Sequence, residues 1–446
     1  MGHDRAVSQF VDPTVEVVTL VRDLIRIDTT NDGTATTVGE ALAAEYVEAS
    51  LQEVGYAARR FETTSARRQG VSLRIPGRDQ SRPALLIHGH LDVVPADPRQ
   101  WSVPPMGGDL HEGMIWGRGA VDMKDTDGMI LAVLRDWARR EVVPERDLVV
   151  LFLPDEEAAG TQGAHWLVDH EPELFRGVTE AVGEVGGFSV TVAPDRRVYL
   201  IQTAEKGLAW LRLRAEGRAG HGSLINDDNA VTRLAAAVTR IGSHEFPITL
   251  TPTTRRLVDE LTAALEIPGA GTTDSDDRAV ARIAELLGPL FAASIRHTAN
   301  PTVLAAGYKS NVIPTAAEAH IDGRFLPGLR EGFLAEIDRL IGTGVTREFI
   351  NDDIAVEAPY DVPIVEHMAA SLREEDPTAI VAPYLLPAGT DAKAFSRLGI
   401  RGYGFAPLML PPTLDFSGLF HGVDERVPVT ALEFGVRVLD RFLRRC

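Results

Sequence analysis

Three stretches carry residue types that do chemistry when they meet. HGHLDVVP (88–95) follows the apolar run ALLIH (84–88) and sets His90 two residues before Asp92. One imidazole nitrogen can hold a metal while the other is hydrogen-bonded to a carboxylate that orients the ring. His88, inside the run, reads as structural. WGRGAVDMKD (116–125) is a glycine-punctuated loop that brings Asp122 and Asp125 to the start of an amphipathic segment. Either aspartate can cap that helix, and Asp125 is the better placed of the two. Asp122 also stands where a carboxylate with both faces clear can bridge two ions.

The third stretch, PDEEAAG (154–160), puts three acids straight after the apolar run LVVLFL (148–153). Like charges side by side raise the cost of ionising one another, and a nearby cation relieves it. Adjacent residues leaving a strand point in different directions. One of Glu156 and Glu157 can therefore ligate a metal while the other stays free as general base toward a water. Taken singly, each stretch is an ordinary turn, cap or solvated acidic loop. Their combination points to a metal-centred reaction.

The elements that must position these loops are legible in the apolar spacing. ALLIH and LVVLFL are short continuous apolar runs, as buried parallel strands are, and TDGMILAVLRDWARR (126–140) between them has helical spacing. Strand, crossover helix, strand is the unit of an α/β sheet, whose sites form at the C-terminal ends of strands. PTVEVVTLVRDLIRI (13–27) and VGEALAAEYVEASLQEVG (38–55) add two helices. From about residue 207 the texture changes to alternating pieces (GLAWLRLRAEG, EAHIDGRFL, and one near 345–357) and helical ones (NAVTRLAAAVTRIGS, 254–296 and 331–342). That mixture predicts a smaller α+β domain of antiparallel strands backed by helices, with AGTTDSDD (270–277) a polar loop. The α/β texture returns beyond 360. The expected organisation is a catalytic domain with a mostly parallel central sheet flanked by helices, in two parts (1–206 and 360–446), interrupted by an inserted domain (207–359).

Bulk properties bound the function. A chain of 446 residues is too long for one compact core, and 44% hydrophobic with 24% charged residues is an ordinary globular composition. A formal charge of -19 argues against nucleic acid as a partner, because phosphate binding needs a basic surface. The single cysteine, Cys446, excludes an intrachain disulfide and a thiolate-rich metal site, so any metal must use oxygen and imidazole ligands. MGHDRAVSQF lacks an apolar signal core, and no apolar stretch approaches the roughly 20 residues of a membrane span. A cytoplasmic protein without a membrane partner is expected.

Nine fragments in order, HGHLD, GRGAVDMK, PDEE, GEVGGF, GRAGHGS, SNVIP, DGRFLPG, AGTDA and FHGVDE, run over nearly the whole chain. Together they resemble the zinc-dependent amidohydrolases and exopeptidases that include aminoacylase, carboxypeptidase G, carnosinase-like dipeptidases and succinyl-diaminopimelate desuccinylase. The longer insert around 254–306 is similar to the carboxypeptidase-type members. The resemblance makes His90 and Glu184 ligands of one metal, Glu157 and His421 ligands of the other, and Asp122 the bridge. It makes Glu156 the general base and Asp92 the orienter of His90. Glu180 also lies in this region, but the family places its acid just before the glycines, at Glu184. Glu425 is expected in a supporting role, and a cis peptide after Asp122.

The same resemblance implies that the inserted domain is a ferredoxin-like lid and dimer interface. His221 of GRAGHGS would reach a neighbouring subunit's active site and stabilise an oxyanion. Asn311, Arg324 and the backbone near Gly389 and Thr390 would hold the substrate's free carboxylate, a job an arginine fork and amide donors suit. AGTDA stands where several relatives have two glycines, and VEAPYDVP lacks an arginine that carboxypeptidase G-like members carry. Two imidazoles and three carboxylates suit two zinc ions, with cobalt or manganese also compatible. The expected function is a di-metal hydrolase cutting an amide next to a free carboxylate, in a small peptide or an N-acyl amino acid. The alternatives are a catalytically silent metal-binding scaffold, a desuccinylase-like deacylase, and two-metal phosphoester hydrolysis. The last calls for more basic residues than Arg118 and Lys124 in the motif loops.

Overall fold

The computed structural model describes residues 11–267 and 273–446. The chain divides into two compact units, the first Met1–Gln202, Ala358–Ala382 and Thr390–Cys446, the second Thr203–Glu357 and Pro383–Gly389.

In the first unit the strand Ala84–His90 lies between two parallel neighbours, Leu148–Leu153 and Val178–Gly183, with Arg401–Gly404 parallel beyond the latter. Gln69–Ile75 and Arg59–Glu62 extend the other side antiparallel. Every residue of Ala84–His90 and Leu148–Leu153 is buried, because helices cover both faces of a parallel sheet. The register pairs His90 with Leu153 and Ile87 with Val182. The residues that follow these strands, Asp92, Glu156 and Glu184, therefore leave the sheet at the same end.

The helix Pro13–Arg26 starts at Asp12, whose side chain accepts the Thr14 N–H, and buries Val17, Leu20, Val21 and Leu24 at helical spacing. Each such burial contributes about 1.5–3 kcal/mol. This helix packs on Lys124–Arg139 and Val429–Arg445. The helix Lys124–Arg139 has Met123 at its N-cap without a side-chain cap bond, and Asp125 falls inside its first turn. The capping expected of Asp125 is thus absent, because the helix begins at Lys124, two residues earlier than the spacing suggested.

The second unit holds a four-stranded antiparallel sheet in the order Thr298–Ala306, Ala316–Phe325, Gly207–Glu216, Val345–Asp353. Ala316–Phe325 alternates buried and half-buried positions, as a strand covered on one face does. The helices Ala230–Gly242 and Arg330–Ile341 supply that cover, with Leu211, Leu213, Leu234, Ile321, Phe333 and Ile337 in the shared core. The helical stretch at 254–296 resolves into Pro252–Ala264, Thr273–Leu287 and Pro289–Ser294. The expected polar loop at 270–277 is only partly within the described residues, and its part from 273 on is the start of a helix. The architecture is the α/β unit with a mostly parallel sheet and the α+β unit that the apolar spacing predicted. Among the described residues no helix is long and apolar enough to cross a membrane.

Candidate metal centre

His90 is the last residue of its strand and Asp92 follows in the loop, both buried. His90 Nδ1 donates to the main-chain oxygen of Asp92 at 3.0 Å, while the Asp92 carboxylate is 3.6 Å away. That leaves Nε2 facing the centre. The sequence assigned the orienting role to the Asp92 carboxylate, but that group has other partners. It accepts the main-chain N–H of Glu156 and of Glu157, both at 3.1 Å, and Asn31 Nδ2 at 2.8 Å. Both glutamates sit on the short turn Glu156–Ala158, flanked by Asp155 and Ala159 in the left-handed region. Asp92 therefore fixes the direction of the turn that carries them.

The side chains converge on Asp122. His90 Nε2 lies 3.2 Å from its Oδ1, and His421 Nε2 lies 3.1 Å from its Oδ2. Glu184 Oε2 and Glu156 Oε2 approach His90 Nε2 at 3.6 and 3.9 Å. Glu157 Oε2 is 3.0 Å from His421 Nε2. Glu180 is engaged elsewhere, by Arg146 at 2.8 Å and Arg401 at 3.1 Å. His88 is buried with its ring edge-on to Phe395, and burial depresses its pKa to about 3, so it stays neutral in the core.

Glu425 holds the glycine loop that delivers Asp122. Its buried carboxylate accepts the amides of Gly119 (3.1 Å), Val121 (2.7 Å) and Asp122 (3.2 Å) and pairs with Arg118 at 2.7 Å. Gly119 takes a φ of +87°, and a Cβ there would meet Val93 and Lys124 at 2.9 and 3.0 Å. The Asp122–Met123 peptide is cis. Lys124 Nζ donates to the carbonyls of Leu24 and Ile27, both at 3.0 Å, which makes it a tie to the first helix.

The contacts that brace the PDEE turn from behind carry no sequence signature. Arg68 Nη2 reaches Asp155 at 3.0 Å and Asn31 Oδ1 at 2.9 Å, and Nη1 pairs with Glu40. Asp155, visible as the third acid of PDEE, thus anchors the turn through Arg68, Asn31 and the Gln162 amide. Asp391, next to Thr390, is also buried, with Oδ2 lacking a hydrogen-bond partner among the described residues.

The electrostatics mark a shortage of positive charge. Burial opposes a charged His90, yet the charge of Glu184 and the hydrogen bond to Asp122 hold its pKa well above the usual imidazole range. His421 is pushed up to about 10 by its hydrogen bonds to Asp122 and Glu157. Burial, then the charge of Glu184, raises Glu156 well above the carboxylate range, and burial with Asp122 raises Glu157 to about 7. Imidazoles that hold protons and carboxylates that resist losing them both call for a cation. The donor set fits one. His90, Glu156 and Glu184 form one group of potential ligands, and His90, Asp122 and Glu157 another, each with donor atoms within 4.8 Å of one another. The Glu157 side chain is 4% exposed, and its Oε1 has no hydrogen-bond partner among the described residues. These residues fit two divalent cations.

The remaining expected residues lie in the second unit, except Thr390. His221 is exposed, on the short strand Gly220–His221 that pairs with Val312–Ile313, and Gly222 donates to the Asn311 carbonyl at 2.9 Å. His221 and Asn311 therefore share one hairpin. Arg324 is held by Asp322 at 2.7 and 3.2 Å. Gly389 closes the second unit, and Thr390 opens the last segment of the first.

The sequence profile of peptidase family M20/M25/M40 matches residues 86–445. The chain is 30% identical over 380 residues to the human (Homo sapiens) N-fatty-acyl-amino acid synthase/hydrolase PM20D1, covering 82% of this chain and 74% of that protein. It is 26% identical over 434 residues to aminoacylase-1 of Sus scrofa, covering 96% and 94%. In fold it is similar to the M20 family metallo-carboxypeptidase Sso-CP2 from Sulfolobus solfataricus, with a TM-score of 0.72 at 19% identity over 96% of this chain and 98% of that one. The di-peptidase Dug1p of Saccharomyces cerevisiae superposes with a TM-score of 0.70 at 15% identity over 97% and 98%. The chain belongs to peptidase family M20/M25/M40 and is a metal-dependent amide hydrolase.

Proposed function

We propose that this hydrolase cuts an amide bond next to a free carboxylate, in an N-acyl amino acid or a small peptide. The observation that carries this reading is Asp122 presenting one oxygen to each of two imidazoles. His90, Glu184 and Asp122 would hold one ion, and Glu157, His421 and Asp122 the other. Zinc is the preferred ion, with cobalt or manganese able to use the same oxygen and nitrogen donors. When bound, the ions lower the pKa of a water and polarise the scissile carbonyl.

The chain's own groups do the rest. Glu156 takes the proton of the attacking water on its carboxylate and returns it to the leaving amine. Asp92 keeps Glu156 and Glu157 aimed through their amides. His221, contributed by a second copy, donates to the developing oxyanion, an effect of about 3–4 kcal/mol for a single donor in such holes. Asn311, Arg324 and the backbone at Gly389 and Thr390 receive the substrate's carboxylate. Support for a homodimer comes from the edge strand Thr298–Ala306, where Val303 and Leu304 are exposed, and from the exposed Leu224 and Ile225 beside His221. One cysteine in the chain accords with a cytoplasmic setting.

Rival readings lack residues to work with. Arg118 is paired with Glu425 and Lys124 with two carbonyls, so neither is available to a phosphoester. A silent scaffold would have lost its base or a ligand, and each of these positions carries a competent side chain. The relatives named for N-acyl amino acids and the dipeptidase of like fold bracket the substrate class. Screening metal-reconstituted protein on dipeptides and N-acyl amino acids tests it. Cleavage restricted to substrates with a free carboxylate is expected, and equal turnover of their C-terminal amides would overturn the reading.

A further inference from the structure

Asn31 stands between two buried carboxylates and a guanidinium. Its Nδ2 donates to Asp92 Oδ2 at 2.8 Å and to Asp155 Oδ1 at 3.3 Å, and its Oδ1 accepts from Arg68 Nη2 at 2.9 Å. An amide carries donors at one end and an acceptor at the other, so each end of Asn31 matches the charge it faces. Arg68 also pairs with Asp155 at 3.0 Å and with Glu40. Asn31 belongs to the loop after the helix Pro13–Arg26, and Arg68 to the turn between the strands Arg59–Glu62 and Gln69–Ile75. Both are buried, at 3% and 2% exposure.

The two carboxylates hold the two ends of the turn that carries Glu156 and Glu157. At its start, Asp92 accepts the amides of both glutamates at 3.1 Å. At its end, Asp155 accepts the Gln162 amide on its carboxylate and the Gly160 amide on its main-chain oxygen, both at 2.7 Å. The turn needs such anchors, because Asp155 and Ala159 both take a φ of +73°, a region that side chains other than glycine hold only when their surroundings impose it. Yet the anchors are like charges that share one amide, and they repel. Arg68 offsets that repulsion from the side of Asp155, and Asn31 fixes the spacing between the two.

We infer that Asn31 and Arg68 are positioning residues for the reaction: they lock Asp92 to Asp155, and the locked pair sets where Glu156 and Glu157 project into the metal centre. The inference rests on the reading of Glu156 as the base and Glu157 as a metal ligand. It gives a part in turnover to two segments that supply no group to the centre itself.

The test uses the full-length, zinc-saturated protein and the N-acyl amino acid or dipeptide that the wild type cleaves fastest. Asn31→Ala is expected to fold, to keep two ions by elemental analysis, and to lose about 10–100-fold in kcat with little change in KM. Arg68→Met should lose at least as much. Arg68→Lys should recover part of that loss, because an ammonium keeps the charge without the planar fork. Asn31 acts through Asp92, so adding Asn31→Ala to Asp92→Asn should lower kcat by no more than about twofold beyond Asp92→Asn alone. Wild-type kcat in folded Asn31→Ala, or losses that multiply in full in the double variant, would overturn the inference. So would Arg68→Lys with no more activity than Arg68→Met, or, where Arg68→Met does not fold, folded Arg68→Lys no less active than wild type together with unchanged Asn31→Ala. Each of these results leaves the metal-centre reading standing, whereas wild-type kcat in Glu156→Gln would remove that reading itself.

Discussion

The carboxylate of Asp92 accepts the main-chain N–H of Glu157 at 3.1 Å, and its other oxygen accepts that of Glu156 at the same distance. One side chain thus fixes the direction of both acids of the turn, the one assigned to a metal and the one assigned to a proton. Asp92→Asn keeps the shape but turns one acceptor into a donor that faces an amide N–H. Metal affinity or activity should fall about 10–100-fold, the usual cost of losing such an outer partner. Titrating metal into the chelated variant while following kcat separates the two effects. Wild-type values for both would show that the turn holds itself.

Glu156 and Glu157 differ in their neighbours. Glu157 Oε2 touches His421 at 3.0 Å, while Glu156 Oε2 stays 3.9 Å from His90. Glu156→Gln should retain two ions by elemental analysis and lose about 10²–10⁴ in kcat, the scale of general-base catalysis. Glu157→Gln should lose an ion as well as turnover. A Glu156→Gln variant with unchanged kcat would reassign the base.

Glu425 and Arg118 form a buried pair at 2.7 Å that also gathers three amides of the loop before Asp122. Glu425→Ala leaves the guanidinium and those amides without their acceptor. A destabilisation of about 3–5 kcal/mol is expected, as for a buried pair broken from one side. Urea unfolding measures it, and a loss under 1 kcal/mol would mean that water replaces the carboxylate.

How far the sequence reaches depends on the kind of contact. The apolar runs ALLIH and LVVLFL declare where two strands stop, so the loops with Asp92, Glu156 and Glu157 were legible as neighbours at one end of the sheet, whereas Glu184 entered only through the family resemblance. Glu180 and Glu184 are both acids near the same strand. The resemblance tells them apart by the glycines that follow Glu184, and the structure by the arginines that reach Glu180 from distant segments, Arg146 and Arg401. Asn31 and Asp155 meet across 124 residues of sequence, and Arg68 joins them from a third segment. Such contacts follow no period, and no local pattern announces them. The helix that begins at Lys124 went the other way: its start lay one residue before the expected cap, with Met123 and not an aspartate at the N-cap position.

The proton affinities of the metal-free centre set a pH dependence whose sign can be worked out. His421 is raised from an ordinary value of about 6.5 to about 10, so its contribution to folding is full below the lower value and is lost as pH rises through the upper one. Glu157 is raised from about 4.3 to about 7. A carboxyl that prefers its proton when folded also costs stability as pH rises across that interval. Both groups act in one direction, so their joint contribution to the stability of the chelated protein should fall from about pH 5 to about pH 10. Ions compete with these protons for the same atoms, so the gain in Tm on adding zinc should grow over the same range. Thermal unfolding at several pH values, with chelator and with excess zinc, measures both trends. A zinc-induced gain that stays flat with pH would mean that the ions bind without displacing protons from His421 and Glu157.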